Sequence, residues 1–381
     1  MPTDGLSPRG RRAAAIAALA LIVIAAAGLA YLRLNTNVTT KKPSSLPSAN
    51  PLESGLNPVS FAFVTPSLGW AVVNPYTPST SVGQFRVFRT VDSAKHWQQQ
   101  LTGQSSSPGF TPIAVHFFDT SDGYMTVDLA SMGEQVYLTS DGGNEWHPIR
   151  LPAAQSVVVT FNDPSNGLAA VQIEAVAAQL FKLFATSDRG ATWQPLPDPP
   201  SDAYGLAFRG PGEAWMGSLG PGVPHVYTST NAGHTWRRHD LPPPPGRTWD
   251  TSGSGTTVQL LPQIGAIATT ESGVTGTSQA DLFTSLDTGD TWRFVPAPPG
   301  EVGYQDAFHW WAIGGTVLSK SSDAGQTWKQ ITRSLPDWQF MPYVLDANHA
   351  WAQLTVLGGY GLGMTIDGGL HWTRANVPQV S

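Results

Sequence analysis

One eight-residue pattern recurs seven times along this chain of 381 residues, and a fixed-period repeat restricts the fold more than any other feature of the sequence. The copies read TVDSAKHW at 90–97, TSDGGNEW at 139–146, TSDRGATW at 186–193, STNAGHTW at 229–236, SLDTGDTW at 285–292, SSDAGQTW at 321–328 and TIDGGLHW at 365–372. Serine or threonine opens every copy. The third position is Asp92, Asp141, Asp188, Asn231, Asp287, Asp323 or Asp367, and the closing residue is Trp97, Trp146, Trp193, Trp236, Trp292, Trp328 or Trp372. The fifth position is glycine except for Ala94.

The residue types point to structure rather than chemistry. An Asp or Asn side chain pins a turn by accepting hydrogen bonds from backbone N–H groups, expected here two residues on. Glycine supplies a positive φ without steric cost. A terminal indole offers a large apolar face to a neighbouring sheet. An aspartate repeated at one place in every unit is expected to hold turns, not to act as an acid catalyst.

Each copy follows a β-like run, such as residues 85–88 (FRVF) or 181–184 (FKLF), so the pattern reads as the hairpin between the last two strands of a unit. Upstream lies a second signature, a small residue followed by an aromatic or apolar strand: Gly69-Trp70-Ala71-Val72, Gly123-Tyr124-Met125, Ala214-Trp215-Met216 and Ala350-Trp351-Ala352. The closing tryptophans are spaced 49, 47, 43, 56, 36 and 44 residues apart, the period of a four-stranded blade. A single blade cannot cover both its faces, whereas blades packed around an axis can. The expected fold is therefore all-β, a seven-bladed β-propeller of four-stranded antiparallel blades over residues 58–381. Residues 51–57 could add a strand that closes the ring, or the ring could close by packing alone.

The repeated turn resembles the Asp-box of bacterial neuraminidase repeats, found also in sortilin-type receptors and several glycosidases. With the Gly-Trp-Ala-Val strand before it, the pattern most resembles the photosystem II assembly and stability factors. That resemblance implies a seven-bladed propeller lying outside the cytoplasm, and an arginine-rich surface that takes the partner. A sialidase-like reading would need an arginine cluster and a Tyr/Glu nucleophile pair. The early Arg-Ile-Pro motif of that family is missing, and only seven glutamates occur in the chain. Glycosidases that build a cleft between two propellers need more chain than this.

Composition removes other classes. With no cysteine, disulfides, thiolate metal sites and cysteine nucleophiles are excluded. A formal net charge of −6 gives no general attraction to nucleic acid. No HExxH pattern occurs among the nine histidines, of which His96, His234 and His371 fill variable turn positions, so no metal or other cofactor is expected. Residues 358–363 (GGYGLG) imitate a phosphate-cradling loop, but they lie between two strands and read as a hairpin loop.

The N-terminus reads as a targeting segment. Arg9, Arg11 and Arg12 precede an uncharged run over residues 13–32. At about 1.5 Å per helical residue, twenty residues match a hydrocarbon core of about 30 Å. The expected division is a cytoplasmic N-terminus at 1–12, a transmembrane signal anchor at 13–33 and a flexible Ser/Thr/Pro-rich stalk at 34–57. The alternative is a cleaved signal peptide, with Ala25 and Ala27 forming the small-residue cleavage pattern and a secreted product. Both place the propeller outside the cytoplasm.

The candidate binding face is the one opposite the repeated turns, where aromatic residues recur: Tyr76, Phe110, Tyr204, Trp249, Tyr304, Trp338 and Tyr360, with Arg209 and Arg247 adding charge. Exposed aromatics on proline-stiffened loops suit binding. The expected function is a noncatalytic extracytoplasmic scaffold or assembly factor for a membrane or exported protein. The alternative is a carbohydrate-binding protein or glycoside hydrolase whose aromatics stack on a glycan.

Overall fold

The computed structural model describes residues 56–75, 83–105, 113–129, 133–152, 156–172, 181–210, 212–249, 254–272, 280–333, 335, 342–356 and 359–376. The candidate anchor and most of the stalk, together with Tyr76, Phe110 and Trp338, lie outside the described residues.

The strands form seven four-stranded antiparallel sheets, each ordered as its strands follow in the chain. Blade 1 spans 56–105, blade 2 113–148, blade 3 156–195, blade 4 203–240, blade 5 254–294, blade 6 301–332 and blade 7 343–375. First strands of successive blades pack against one another, so they converge on the axis and the fourth strands form the rim.

This radial order explains the burial along each strand. A second strand is covered on both faces by neighbouring blades and reads as an unbroken apolar run: in Gly167–Gln172 every residue from Gly167 to Val171 is buried. A first strand alternates, because one set of side chains enters the seam and the other meets the axis. Val157, Val159 and Phe161 are buried, while Val158 between them is exposed. The fourth strands of blades 2 and 3 are short and polar, His147–Pro148 and Gln194–Pro195, both exposed throughout. Short polar strands are how a sheet edge is kept from pairing with other chains.

Aromatic rings fill the seams. Trp70 of blade 1 stacks on Phe117 of blade 2 with centroids 3.4 Å apart. Its Nε1 donates to the Gly142 carbonyl in the turn of blade 2 at 2.9 Å. Trp70, Trp215, Trp310, Trp311 and Trp351 are fully buried. Of the seven closing indoles, Trp146 and Trp292 are buried and the other five are half-buried. Trp193 Nε1 donates across a seam to the Arg150 carbonyl at 3.0 Å.

Among the described residues the ring closes by packing, with no strand shared between its ends. Blade 7 supplies its own four strands, and residue 56 opens the first strand of blade 1. Phe63 of blade 1 stacks on Trp351 of blade 7 at 3.7 Å. Across the same seam Tyr343 donates to the Phe63 carbonyl at 2.9 Å, Trp97 Nε1 to the Asn376 carbonyl at 2.9 Å, and Asn376 Nδ2 to the Lys95 carbonyl at 2.6 Å.

The repeated turn works differently from the expected pinning two residues on. In blade 2 the buried Thr139 hydroxyl accepts the Gly143 N–H at 2.9 Å and donates to Asp141 Oδ1 at 3.0 Å. Asp141 Oδ1 accepts the N–H four residues on, that of Glu145, at 3.0 Å. The same bonds recur at Thr186/Asp188/Gly190 and Ser321/Asp323/Gly325. The opening hydroxyl therefore satisfies the buried donor, and the carboxylate satisfies the outer one.

Position seven adds a further bond, with Thr192 and Thr327 donating to the second carboxylate oxygen at 2.6 Å. His96 and His371 do the same work in blades 1 and 7, each 2.6 Å from its aspartate. Position four also has positive φ, 62° at Ser93 and 63° at Arg189, because its N–H turns toward the loop between the first and second strands. Ser93 thus donates to Ser67 and Arg189 to Ser165, each at 3.1 Å.

Candidate functional site

Antiparallel order gives the ring two chemically distinct faces. The turn face carries the repeated turns and the first-to-second-strand loops. The connection face carries the second-to-third-strand loops and the links between blades.

Many aspartates on the turn face hold the backbone. Besides the turn aspartates, Asp119 accepts the N–H groups of Ser121 and Asp122 at 2.7 and 2.8 Å. Asp163, Asp306 and Asp346 repeat this arrangement in blades 3, 6 and 7. These four were not anticipated, although the signal was present: an aspartate four residues before the small or aromatic residue that opens the second strand. Hydrogen bonds from His96 hold the Asp92 carboxyl down to about 2, those from Thr192 do the same at Asp188, and those from His371 at Asp367.

Four expected loop residues sit in strands instead. Arg209 ends the first strand of blade 4 (Ala203–Arg209) on the turn face. There it pairs with Glu213 at 2.5 Å and donates to the carbonyls of Leu261 and Gly265 at 2.6 and 2.9 Å, cross-linking blades 4 and 5. Its guanidinium is thereby absorbed by the fold. Tyr304 ends the first strand of blade 6 (Glu301–Tyr304), also toward the turn face. It packs edge-on against Trp310 at 5.1 Å, and burial pushes its phenol pKa up. Tyr204 lies near the connection-face start of its strand, 6.5 Å from the Phe181 ring. Tyr360 falls within the strand Gly359–Thr365, its side chain outside the described residues. The GGYGLG segment therefore contributes mainly to the third strand of blade 7 rather than to a loop.

Arg247 and Trp249 do lie on the connection face, in the link from blade 4 to blade 5. The proline run determines the shape of that link. Residues 241–244 each precede a proline and are held extended. Arg247 N–H then donates to the Pro244 carbonyl at 3.0 Å, closing a turn in which Gly246 has φ 73°. Pro245 and Gly246 occupy the two central positions that such a turn favours. The Trp249 ring folds back to 5.8 Å from Phe283, and its Nε1 donates to the Leu241 carbonyl at 2.9 Å. Arg247 pairs with the buried Asp281 while half of its side chain stays in water. The result is a stiff projection whose exposed outer surface is Pro242, Pro243, Pro245, Arg247 and Thr248.

Beside it, at the connection-face end of blade 4, lies a polar cluster that was not foreseen. His225 is buried, with Nδ1 2.8 Å from the Val223 carbonyl and Nε2 3.1 Å from Asp202 Oδ2. Tyr227 donates to Asp202 Oδ1 at 2.6 Å. Among the described side chains, Glu301 is a carboxylate without a hydrogen bond or ion pair. Its side chain touches water, but crowding by surrounding chain strips part of its hydration and raises its pKa. No group of residues suited to holding a metal ion occurs among the described residues.

No family model matches this chain, and no curated protein sequence does. Solved structures do. YCF48 bound to D1 peptide superposes with TM-score 0.51 at 16% identity, covering 88% of this chain and 100% of that one. The chain is a seven-bladed β-propeller. YCF48 from Cyanidioschyzon merolae gives TM-score 0.46 at 16% identity, over 86% of this chain and 96% of that one. The GH74 xyloglucanase of Xanthomonas campestris gives 0.46 at 14% identity, over 87% of this chain and 69% of that one. At such identities the likeness shows the fold and nothing finer.

Proposed function

We propose that this propeller is a noncatalytic scaffold that holds a polypeptide segment of a membrane or exported protein on its connection face. The observation that carries this reading is the 241–249 projection. It is stiffened by prolines, a turn and two side-chain clamps, so little ordering entropy is lost when a partner binds. Its outer surface offers apolar rings beside the Arg247 guanidinium, a combination suited to protein contacts. A propeller of this fold carries a peptide in the structure of YCF48 bound to D1 peptide. The repeated-turn aspartates and Asp119, Asp163, Asp306 and Asp346, being engaged with backbone N–H groups, are poorly placed to serve as hydrolytic acids and bases.

The N-terminal apolar run is proposed to tether the propeller outside the cytoplasm. The first strand, Leu56–Phe63, runs from the connection face toward the turn face, so the stalk enters at the connection face. A tether entering there would hold that face toward the bilayer.

The test is co-purification of the full chain from native membranes in mild detergent, comparing wild type with Thr248→Arg and with Arg247→Ala/Trp249→Phe. Thr248 is exposed, so its substitution blocks the surface without disturbing packing. Loss of one specific partner in both variants, with unchanged circular dichroism, supports the proposal. Retention of the partner in both, or hydrolysis of a polysaccharide by the purified chain, overturns it.

A further inference from the structure

First strands turn alternate side chains toward the axis, and their register with the second strands sets the levels at which those side chains meet. In blades 2, 3, 5 and 6 the last residue of the first strand pairs with the first residue of the second: Phe117 with Gly123, Phe161 with Gly167, Leu260 with Ala266 and Tyr304 with Trp310. Three residues before each of these stand Ala114, Val158, Thr257 and Glu301, which therefore share one level of the ring, nearer the connection face. The residues that follow them are turned into the seams: Val115 packs against blade 1, Val159 against blade 2, Val258 against blade 4 and Val302 against blade 5. Ala114, Val158, Thr257 and Glu301 accordingly stay exposed while lying at the centre of the ring.

Glu301 is the charge at this level, and nothing among the described residues neutralises it. The other three side chains there are uncharged. His116, one level nearer the turn face, supplies no positive charge at neutral pH, because burial pushes its pKa down. The cations toward the connection face are taken: Lys182 pairs with Asp198, Arg238 with Asp240 and Arg247 with Asp281. The propeller segments outside the described residues contain no lysine, arginine or histidine. Crowding strips hydration from the Glu301 carboxylate, and no neighbouring charge offsets that loss.

The two ends of the axis also differ. Toward the turn face larger side chains cross between blades: Asn162 Nδ2 donates to the Gly210 carbonyl of blade 4 at 2.8 Å, and Arg209 reaches the Leu261 and Gly265 carbonyls of blade 5. At the Glu301 level the described neighbours are small. We propose that this roomier end of the axial channel receives a lysine or arginine side chain of the bound polypeptide, with Glu301 as its counter-ion. The inference rests on the reading of the connection face as the surface that holds a polypeptide. The methyl groups of Ala114, Val158 and Thr257 suit the aliphatic stem of such a side chain, and the carboxylate takes its charged head. A carboxylate that has already lost part of its hydration gives up less on pairing, and a partly buried pair is screened less by salt than one in open water.

The test titrates the purified full chain in detergent with capped peptides Ala-Ala-X-Ala-Ala, where X is lysine, arginine, norleucine or glutamate, and reads binding by ligand-observed NMR. The lysine and arginine peptides should bind about fivefold or more tightly than the norleucine peptide, and the glutamate peptide most weakly. Glu301→Gln, which keeps the shape of the side chain, should erase the difference. Thr257→Lys, which adds an internal cation at the same level from the adjacent blade, should erase it too. Asp290→Asn, which removes an exposed carboxylate on the turn face, should leave the preference unchanged and so separates a local counter-ion from attraction by the net charge. Equal binding of the lysine and norleucine peptides by the wild type, a preference that survives Glu301→Gln, or one lost equally in Asp290→Asn overturns the proposal. The peptides carry no partner sequence, so this outcome is distinct from that of co-purification. A partner captured through the 241–249 projection without any preference for basic peptides refutes the channel inference alone. A partner retained in both projection variants refutes that reading alone, with a Glu301-dependent preference still standing.

Discussion

Three glycine-to-alanine substitutions separate the two ways in which this ring depends on missing side chains. Gly315, in the short hairpin of blade 6, has φ 54°, and a Cβ there meets nothing within 4 Å. Gly217, in the second strand of blade 4, has no positive φ, but its Cβ would lie 1.9 Å from the Thr256 carbonyl oxygen across the seam to blade 5. Gly325, at position five of the blade 6 turn, combines both problems. Its φ is 78°, and a Cβ would lie 2.3 Å from Cζ3 of the buried Trp310 and 2.7 Å from Cγ1 of Val295.

A left-handed alanine costs about 1–2 kcal/mol. The reduced entropy of the unfolded chain returns about 0.4–1 kcal/mol. Overpacking adds about 1–3 kcal/mol, and more where backbone must move. Gly315→Ala should therefore cost no more than about 1.5 kcal/mol, Gly217→Ala about 2–3 kcal/mol and Gly325→Ala about 2–4 kcal/mol. Urea unfolding followed by tryptophan fluorescence and circular dichroism measures this as a shift of midpoint at constant slope. If Gly315→Ala and Gly325→Ala cost the same, backbone conformation alone explains the conserved shape of the turn. The claim that the turn is packed against the neighbouring indole would then be refuted.

The remaining predictions use the same hydrogen bonds. Thr139→Val, which keeps the shape but leaves the buried Gly143 N–H without its 2.9 Å acceptor, should destabilise by about 1–3 kcal/mol in thermal melts. Asp92, Asp188 and Asp367 have pKa values near 2, below the ordinary carboxylate range, so their contribution is complete above about pH 4 and is lost as pH falls through 2. An acid titration followed by circular dichroism should show loss of structure in that window, and Asp188→Asn should make it shallower. Asn376→Ala, which removes the 2.6 Å bond to the Lys95 carbonyl at the closing seam, should cost about 0.5–1.5 kcal/mol, and truncation after Ala375 should cost more because Trp97 Nε1 then lacks its acceptor.

What the sequence determined by itself was local and periodic. A hydroxyl, a carboxylate, a glycine and an indole within eight residues close a turn from their own atoms, so seven copies announce seven hairpins, and the runs between them announce the strands. The double positive φ of each turn was half legible: glycine marks position five, whereas serine, arginine or threonine at position four hides its own. Tertiary structure decided everything that joins residues distant along the chain. Arg209 was read as a binding cation, yet carbonyls 52 and 56 residues away claim it. Closure rests on Asn376 meeting Lys95 from 281 residues away. Asp202, His225 and Tyr227 are ordinary residues in the chain and become a coupled unit only where the blade 3–4 link folds over blade 4. Hydrogen-bond geometry is settled within angstroms, and only the closed ring brings those partners that near.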